Sequence, residues 1–200
     1  GQGFKARASD QYDATRSVGK VVGVANPDGS QDENADQKDW QSLFDGQSLE
    51  QWEGKEKVFR IQEKSIVAGS LLKKIPNNEF LCTRKKYGNF ELKLQAKLIG
   101  DGRNAGIQFR SKRESNGHAI GYQADIGKGW WGSLYHEHGR RILAKNKDTT
   151  GKHLKSEKWN KYEILAVGHR IWLAINGKIT VALRDPIGEL EGQISLQVHG

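Results

Sequence analysis

The sequence predicts an all-β fold, a sandwich or jelly roll. Three observations carry the prediction. Apolar residues recur with a period of about two rather than about 3.6, glycine-containing turns separate short runs, and no window holds an apolar stripe at helical spacing. At 200 residues the chain is long enough for one domain plus an extension.

Charge divides the chain before any strand is assigned. Residues 1–39 hold five Lys/Arg against seven Asp/Glu, whereas residues 40–200 hold 27 against 17 and all six Trp. The stretch from Asn26 to Asn34 has little to bury, so residues 1–39 read as a flexible leader. Val18–Val24 is the exception and has strand character. The domain is expected to start near Trp40 and run to Gly200.

Within it, Phe80-Leu81-Cys82 reads as an apolar strand. Phe90, Leu92, Leu94, Ala96 and Leu98 alternate with Glu91, Lys93, Gln95 and Lys97, which gives a half-buried strand. Ile107 and Phe109 alternate with Gln108 and Arg110. Tyr122, Ala124 and Ile126 alternate with Gln123 and Asp125. Tyr162, Ile164 and Ala166 repeat the pattern, as do Ile171, Leu173 and Ile175. Asn176-Gly177 then supplies the positive-φ pair that a type I′ hairpin turn needs, and Val181 and Leu183 return. Leu196 and Val198, alternating with Gln197 and His199, form the last strand.

Several function classes are excluded. No apolar run is long enough for a transmembrane helix, and mean hydropathy is −0.74. The single Cys82 excludes an internal disulfide and, within an apolar strand, reads as an inert core thiol. There is no Gly-x-Ser-x-Gly, P-loop or dinucleotide fingerprint. A net charge of +8 invites a nucleic-acid reading. The basic clusters (Arg84-Lys85-Lys86, Arg110 to Arg113, Arg140-Arg141, Lys152 to Lys158) are dispersed over loops without a recognition helix, so no nucleic-acid partner is expected.

If the Gln108/Arg110, Gln123/Asp125 and Gln197/His199 strands share a sheet, its non-core face carries amide, guanidinium, carboxylate and imidazole groups. That set suits a carbohydrate, which needs many directional hydrogen bonds. An ordinary solvated sheet face is the plainer alternative. Trp130 and Trp131, adjacent and flanked by glycines, point to opposite sides of a strand. One is available to stack on a pyranose, unless one fills the core and the other plugs an edge. His136 and His138 share a face if the strand is regular and would begin a metal site. No third ligand is evident, so hydrogen-bonded or exposed histidines are the expected state, with a divalent metal left open.

These residues resemble the 3-keto-disaccharide hydrolase domain family. The resemblance runs through Trp40 to Trp52, Tyr87 to Leu92, Asn104 to Ser111, Gly121 to Ile126, Trp130 to Arg141, Trp159 to Glu163, Ile175-Asn176-Gly177 and Ile194 to Gly200. It implies a concanavalin A-like jelly roll of two antiparallel sheets, hydrolysis of glycosides oxidised at C3, and an exported, periplasmic or cell-surface bacterial protein. It implies polar groups at Arg110, Gln123, Asp125, Glu137 and His199. Where the family has Asp after the Leu-Tyr pair, this sequence has His136. The family also continues into a further strand beyond the position of Gly200.

A C3 ketone acidifies the C2 proton, so such a glycoside can lose its leaving group by elimination, with water adding afterwards. That chemistry needs a base near C2, a donor at the C3 oxygen and an acid at the leaving oxygen. Glu137 or His199 is the expected base and Arg110 the enolate stabiliser, with a metal as the alternative electrophile. Tyr135, or the other of Glu137 and His199, is the acid. Asp125 orients His199 or binds sugar hydroxyls, and Gln108, Gln123, Trp130, Trp131, Arg140 and Arg141 complete the binding surface. A non-catalytic carbohydrate-binding module is the alternative function, because one fold hosts both.

Overall fold

A computed structural model describes residues 40–100, 103–147 and 151–200, together with the backbone of residues 19–22. The strands in chain order are β1 (Gly19–Val22), β2 (Trp40–Ser42), β3 (Trp52–Glu53), β4 (Phe59–Gln62), β5 (Ser65–Ala68), β6 (Glu79–Tyr87) and β7 (Phe90–Ala96). They continue as β8 (Asn104–Arg113), β9 (Ala119–Gly127), β10 (Leu134–Glu137), β11 (Arg141–Ala144), β12 (Asn160–Val167), β13 (Arg170–Ile175), β14 (Lys178–Arg184) and β15 (Gly192–Val198). One sheet has the order β14-β13-β12-β7-β1-β2, the other β11-β10-β9-β8-β15-β6-β3, and β4 with β5 forms a separate hairpin. This is the expected two-layer jelly roll.

Alternation positions the layers. Phe90, Leu92 and Leu94 of the first sheet meet Ile107, Phe109, Tyr122, Ala124 and Ile194 of the second in one core with Tyr162, Ile164, Ile171 and Leu173. Phe109 stacks on Tyr122 with centroids 5.3 Å apart, and Phe90 meets Phe109 edge-on at 6.0 Å. Such offset and edge contacts satisfy the ring quadrupoles as well as the burial. Cys82 is fully buried, and burial pushes its thiol pKa up. Asn176 and Gly177 take φ of 49° and 82°, as the turn between β13 and β14 requires.

The pairing departs from pure antiparallel in one place. The strand expected in Val18–Val24 is β1, and it runs parallel to both β2 and β7. The rest of the expected leader lies outside the described residues. Among the described residues no helix is long and apolar enough to cross a membrane.

Candidate functional site

β9, β8 and β15 are consecutive in one sheet, so the strands carrying the candidate polar residues do share a face. Register aligns them in rows across it. Cys82, Ser195, Gln108, Gln123 and Tyr135 form one row, and Phe80, Gln197, Gly106 and Asp125 the next. Gly106 is needed there: a Cβ would lie 2.5 Å from the Gln123 side chain, which rests over it.

The face is roofed rather than open. Arg110 takes φ of 48°, the register shifts between Phe109 and Lys112, and the β8–β9 hairpin beyond that point bends back over the sheet. Gly121 (φ 151°) is the hinge on the second strand, where a Cβ would lie 2.6 Å from the Ser111 backbone. The bend brings the Ala119 carbonyl to 3.3 Å from Gln108 Nε2 and packs Ala119 on Phe80 and Cys82. Gln108 is consequently 0 % exposed, Gln123 3 %, Asp125 5 % and Gln197 4 %.

Beneath the roof the amides form a chain. Gln108 Nε2 donates to Gln123 Oε1 at 3.1 Å, and Gln123 Nε2 donates to Asp125 Oδ1 at 2.8 Å. Two of the amide oxygens are less well served. Among the described residues no protein group donates to Gln108 Oε1 or Gln197 Oε1, which are both buried. Burial pushes the Asp125 carboxyl up to about 6; the charge on nearby Glu137 adds to the rise and the Gln123 hydrogen bond opposes it. Glu137 accepts from Asn78 Nδ2 at 3.4 Å and lies 3.5 Å from His138 Nε2. His138 Nε2 is in turn 3.0 Å from Nδ1 of His118, which sits at the roof's tip beside Phe80.

The fold thus gathers Gln108, Gln123, Asp125, Tyr135 and Glu137 on one face, Tyr135 half-buried opposite Gln123 in register. His199 is exposed, two residues beyond Gln197, with Nδ1 2.8 Å from the Gly200 carbonyl. Arg110 does not join them. Its bulge turns the side chain off the face, where it is 1 % exposed and donates to the carbonyls of Gly88, Gly168 and Glu189. With its donors committed to three loops, it has none for an enolate.

Arg140 is also elsewhere, 2.6 Å from Asp185, which accepts the Tyr122 hydroxyl hydrogen bond at 2.5 Å. Arg141 is exposed at φ 66°. Trp131 packs on the core and stacks on Tyr162 at 6.3 Å, so the structural alternative applies to it. Trp130 stays partly exposed in the turn after β9, under Lys145 Nζ at 4.9 Å.

His136 and His138 do not share a face. His136 points to the core side and meets Glu189 at 3.1 Å, while φ of 52° takes His138 out of the strand's alternation. Among the described residues no three His, Cys, Asp or Glu side chains converge as a metal-binding set. Asn78, His118 and Gln197 are additional cleft residues. The parity of β15 signalled Gln197. No local pattern signalled Asn78 or His118, because curvature and a bent hairpin bring them in.

The fold is shared with solved structures. The carbohydrate-binding module CBM66 from Bacillus subtilis aligns at a TM-score of 0.55 with 18% identity, over 74% of this chain and 88% of that one. A Parabacteroides distasonis protein provisionally named a glycosyl hydrolase aligns at 0.60 with 17% identity, over 79% and 86%. A second structure of that description from the same organism aligns at 0.53 with 18% identity, over 76% and 87%. No curated protein sequence matches. The model of the 3-keto-alpha-glucoside-1,2-lyase-like domain matches residues 39–200, most of the sequence, and the chain belongs to that family.

Proposed function

We propose that this protein cleaves glycosides whose sugar is oxidised at C3, by elimination followed by addition of water. The observation that carries the reading is the placement of Asp125 and Glu137 on one roofed face, near enough for the Glu137 charge to act on Asp125, whose carboxyl burial pushes up to about 6. A carboxyl titrating there can hold and give a proton near neutral pH.

Glu137 takes the C2 proton, and the C–H electron pair forms the C2–C3 double bond with charge on the C3 oxygen. The Gln197 amide is the donor at that oxygen, in the place first given to Arg110. The enolate then expels the glycosidic oxygen, which leaves with the Asp125 proton as the C1–O bond breaks. Water adds its oxygen to C1, its spare proton returns to Asp125, and Glu137 returns a proton to C2.

The test is a panel of 3-keto and unoxidised disaccharides. Monosaccharide is expected from the 3-keto set only, and Glu137→Gln and Asp125→Asn are each expected to lower turnover by about 10²–10⁴. Wild-type turnover in both variants would remove the assignment.

A carbohydrate-binding module is the second reading, favoured by the likeness to CBM66. On that reading the two carboxylates and the amides only accept sugar hydroxyls. Saturable binding in calorimetry with no release from either set would establish it.

A further inference from the structure

We propose that an apolar slot at one end of the sandwich binds a fatty-acid anion, with the alkyl chain between the sheets and the carboxylate on a basic rim. The inference goes beyond the glycoside reading and does not rest on it. Register puts Val198, Ala105 and Ile126 in one row of the second sheet, and Leu196 and Ile107 in the next, on the core side. Leu94 and Ala96 answer them from the first sheet, and Ala68 from the β4–β5 hairpin, where it pairs with Phe59. Core parity should bring full burial, yet Ala68, Ala96, Ala105, Leu196 and Val198 are only partly buried. The walls stop short of one another and leave a cavity of about 430 Å³.

Three alanines make the room. Ala68, Ala96 and Ala105 line the cavity from the hairpin, the first sheet and the second, at positions where a filled core layer would carry larger side chains. The volume falls in the range of small-molecule sites, about 300–1,000 Å³. Packed sheets lie about 10 Å apart, so a slot between them takes a chain of methylenes and not a helix, which is about 10–12 Å across. Gly69, at φ 77°, turns the chain after β5 down onto Val198, and Arg60 Nη1 donates to the Gly69 carbonyl at 2.8 Å, which closes one side. The rim is charged in one sense. Among the described residues it carries Arg60, Lys73, Lys97 and Arg103 against Glu63, with exposed Leu71 and Ile99 as apolar lips. A Cβ on Gly100 would lie 3.1 Å from Leu71 and 3.2 Å from Arg103, so lip and cation meet at one place. Glu157, outside the slot, is taken by the Gly100 N–H at 2.9 Å. Apolar walls call for an alkyl chain and this rim for a negative head, and a fatty-acid anion has both. The roofed face lies on the other side of β8 and β15, by the alternation of their side chains.

The test is calorimetry of the full chain with octanoate, decanoate and dodecanoate, each below its micelle concentration. One saturable site is expected, tightening about fourfold for each methylene added. Decanol, which lacks the charge, is expected to bind about tenfold more weakly than decanoate. Lys73→Glu combined with Arg103→Glu is expected to weaken decanoate by about tenfold and leave decanol unchanged. Ala96→Leu fills the slot and is expected to weaken dodecanoate by about tenfold or more while raising the melting temperature. The rim pair, exposed at both positions, decides the question alone if Ala96→Leu does not fold. Absence of saturable binding, or binding that does not tighten with chain length, removes the proposal. So does wild-type affinity in the rim variant or in folded Ala96→Leu. Co-sedimentation with phosphatidylglycerol vesicles that persists in Ala96→Leu, without binding of the free acids, would assign the basic rim to a lipid surface and overturn the slot.

Discussion

Asp125 is 5 % exposed, and its folded carboxyl titrates near 6 against 3.8 for the unperturbed side chain. The folded chain therefore holds the Asp125 proton more tightly than the unfolded chain, and ionisation destabilises the fold. Below about pH 4 the carboxyl is protonated in both states and nothing is lost. Between about pH 4 and 6 the penalty grows, to roughly 3 kcal/mol for about two units at about 1.4 kcal/mol each. Asp125→Asn keeps the shape and the Gln123 contact without that charge. We expect it to be more stable than wild type by about 2–3 kcal/mol at pH 7, with the advantage gone by about pH 4, even as turnover falls. Urea unfolding at several pH values measures this, and equal stability at pH 7 would mean that the carboxylate is compensated. Strand parity alone places Asp125 beside Gln123 on the non-core face. Its burial is not legible there, because the roof comes from a hairpin whose bend depends on the φ of Arg110 and Gly121.

Arg110 shows how one strand can carry two kinds of instruction. Alternation puts it beside Gln108, but its φ of 48° breaks the pleat and redirects the guanidinium. It bonds the β6–β7 turn at Gly88, the β12–β13 turn at Gly168 and the β14–β15 connection at Glu189, clamping three loops at one end of the sandwich. Burial pulls its pKa down. Removing it strands buried carbonyls, each at a cost of about 1–3 kcal/mol. Arg110→Met is therefore expected to lower unfolding free energy by about 3 kcal/mol or more in denaturant melts, with any loss of turnover following the loss of fold. A variant folded as stably as wild type but inactive would return Arg110 to the catalytic set. The same contrast governs what the strands disclose. Periodicity locates β7, β8, β9, β12, β13 and β15, and Asn176-Gly177 gives its hairpin. The β4–β5 turn is made by Glu63 and Lys64 at φ of 49° and 55°, residues that carry no turn signal of their own. His136 is likewise explained only across the fold, by Glu189.

The net charge of +8 belongs to the whole molecule, and the cleft opposes it. Lysines and arginines lie on loops and on strands outside this face, among them Arg84-Lys85-Lys86 of β6 and Lys93 of β7, whereas the roofed face holds Asp125, Glu137 and uncharged amides. A phosphate backbone would meet carboxylates there, but a sugar meets hydrogen-bond partners and one titratable acid. Ionic strength separates the two cases. A neutral 3-keto-glycoside displaces no condensed counterions, so its affinity is expected to be nearly flat between about 50 and 200 mM salt. A polyanion held by six or more phosphate contacts would lose about 10³–10⁵ over the same range. Calorimetry on Glu137→Gln, which should bind without turning over, measures the dependence directly. A steep fall with salt would mean that the basic loops, not the cleft, make the principal contact, and the carbohydrate assignment would have to yield to an acidic polymer.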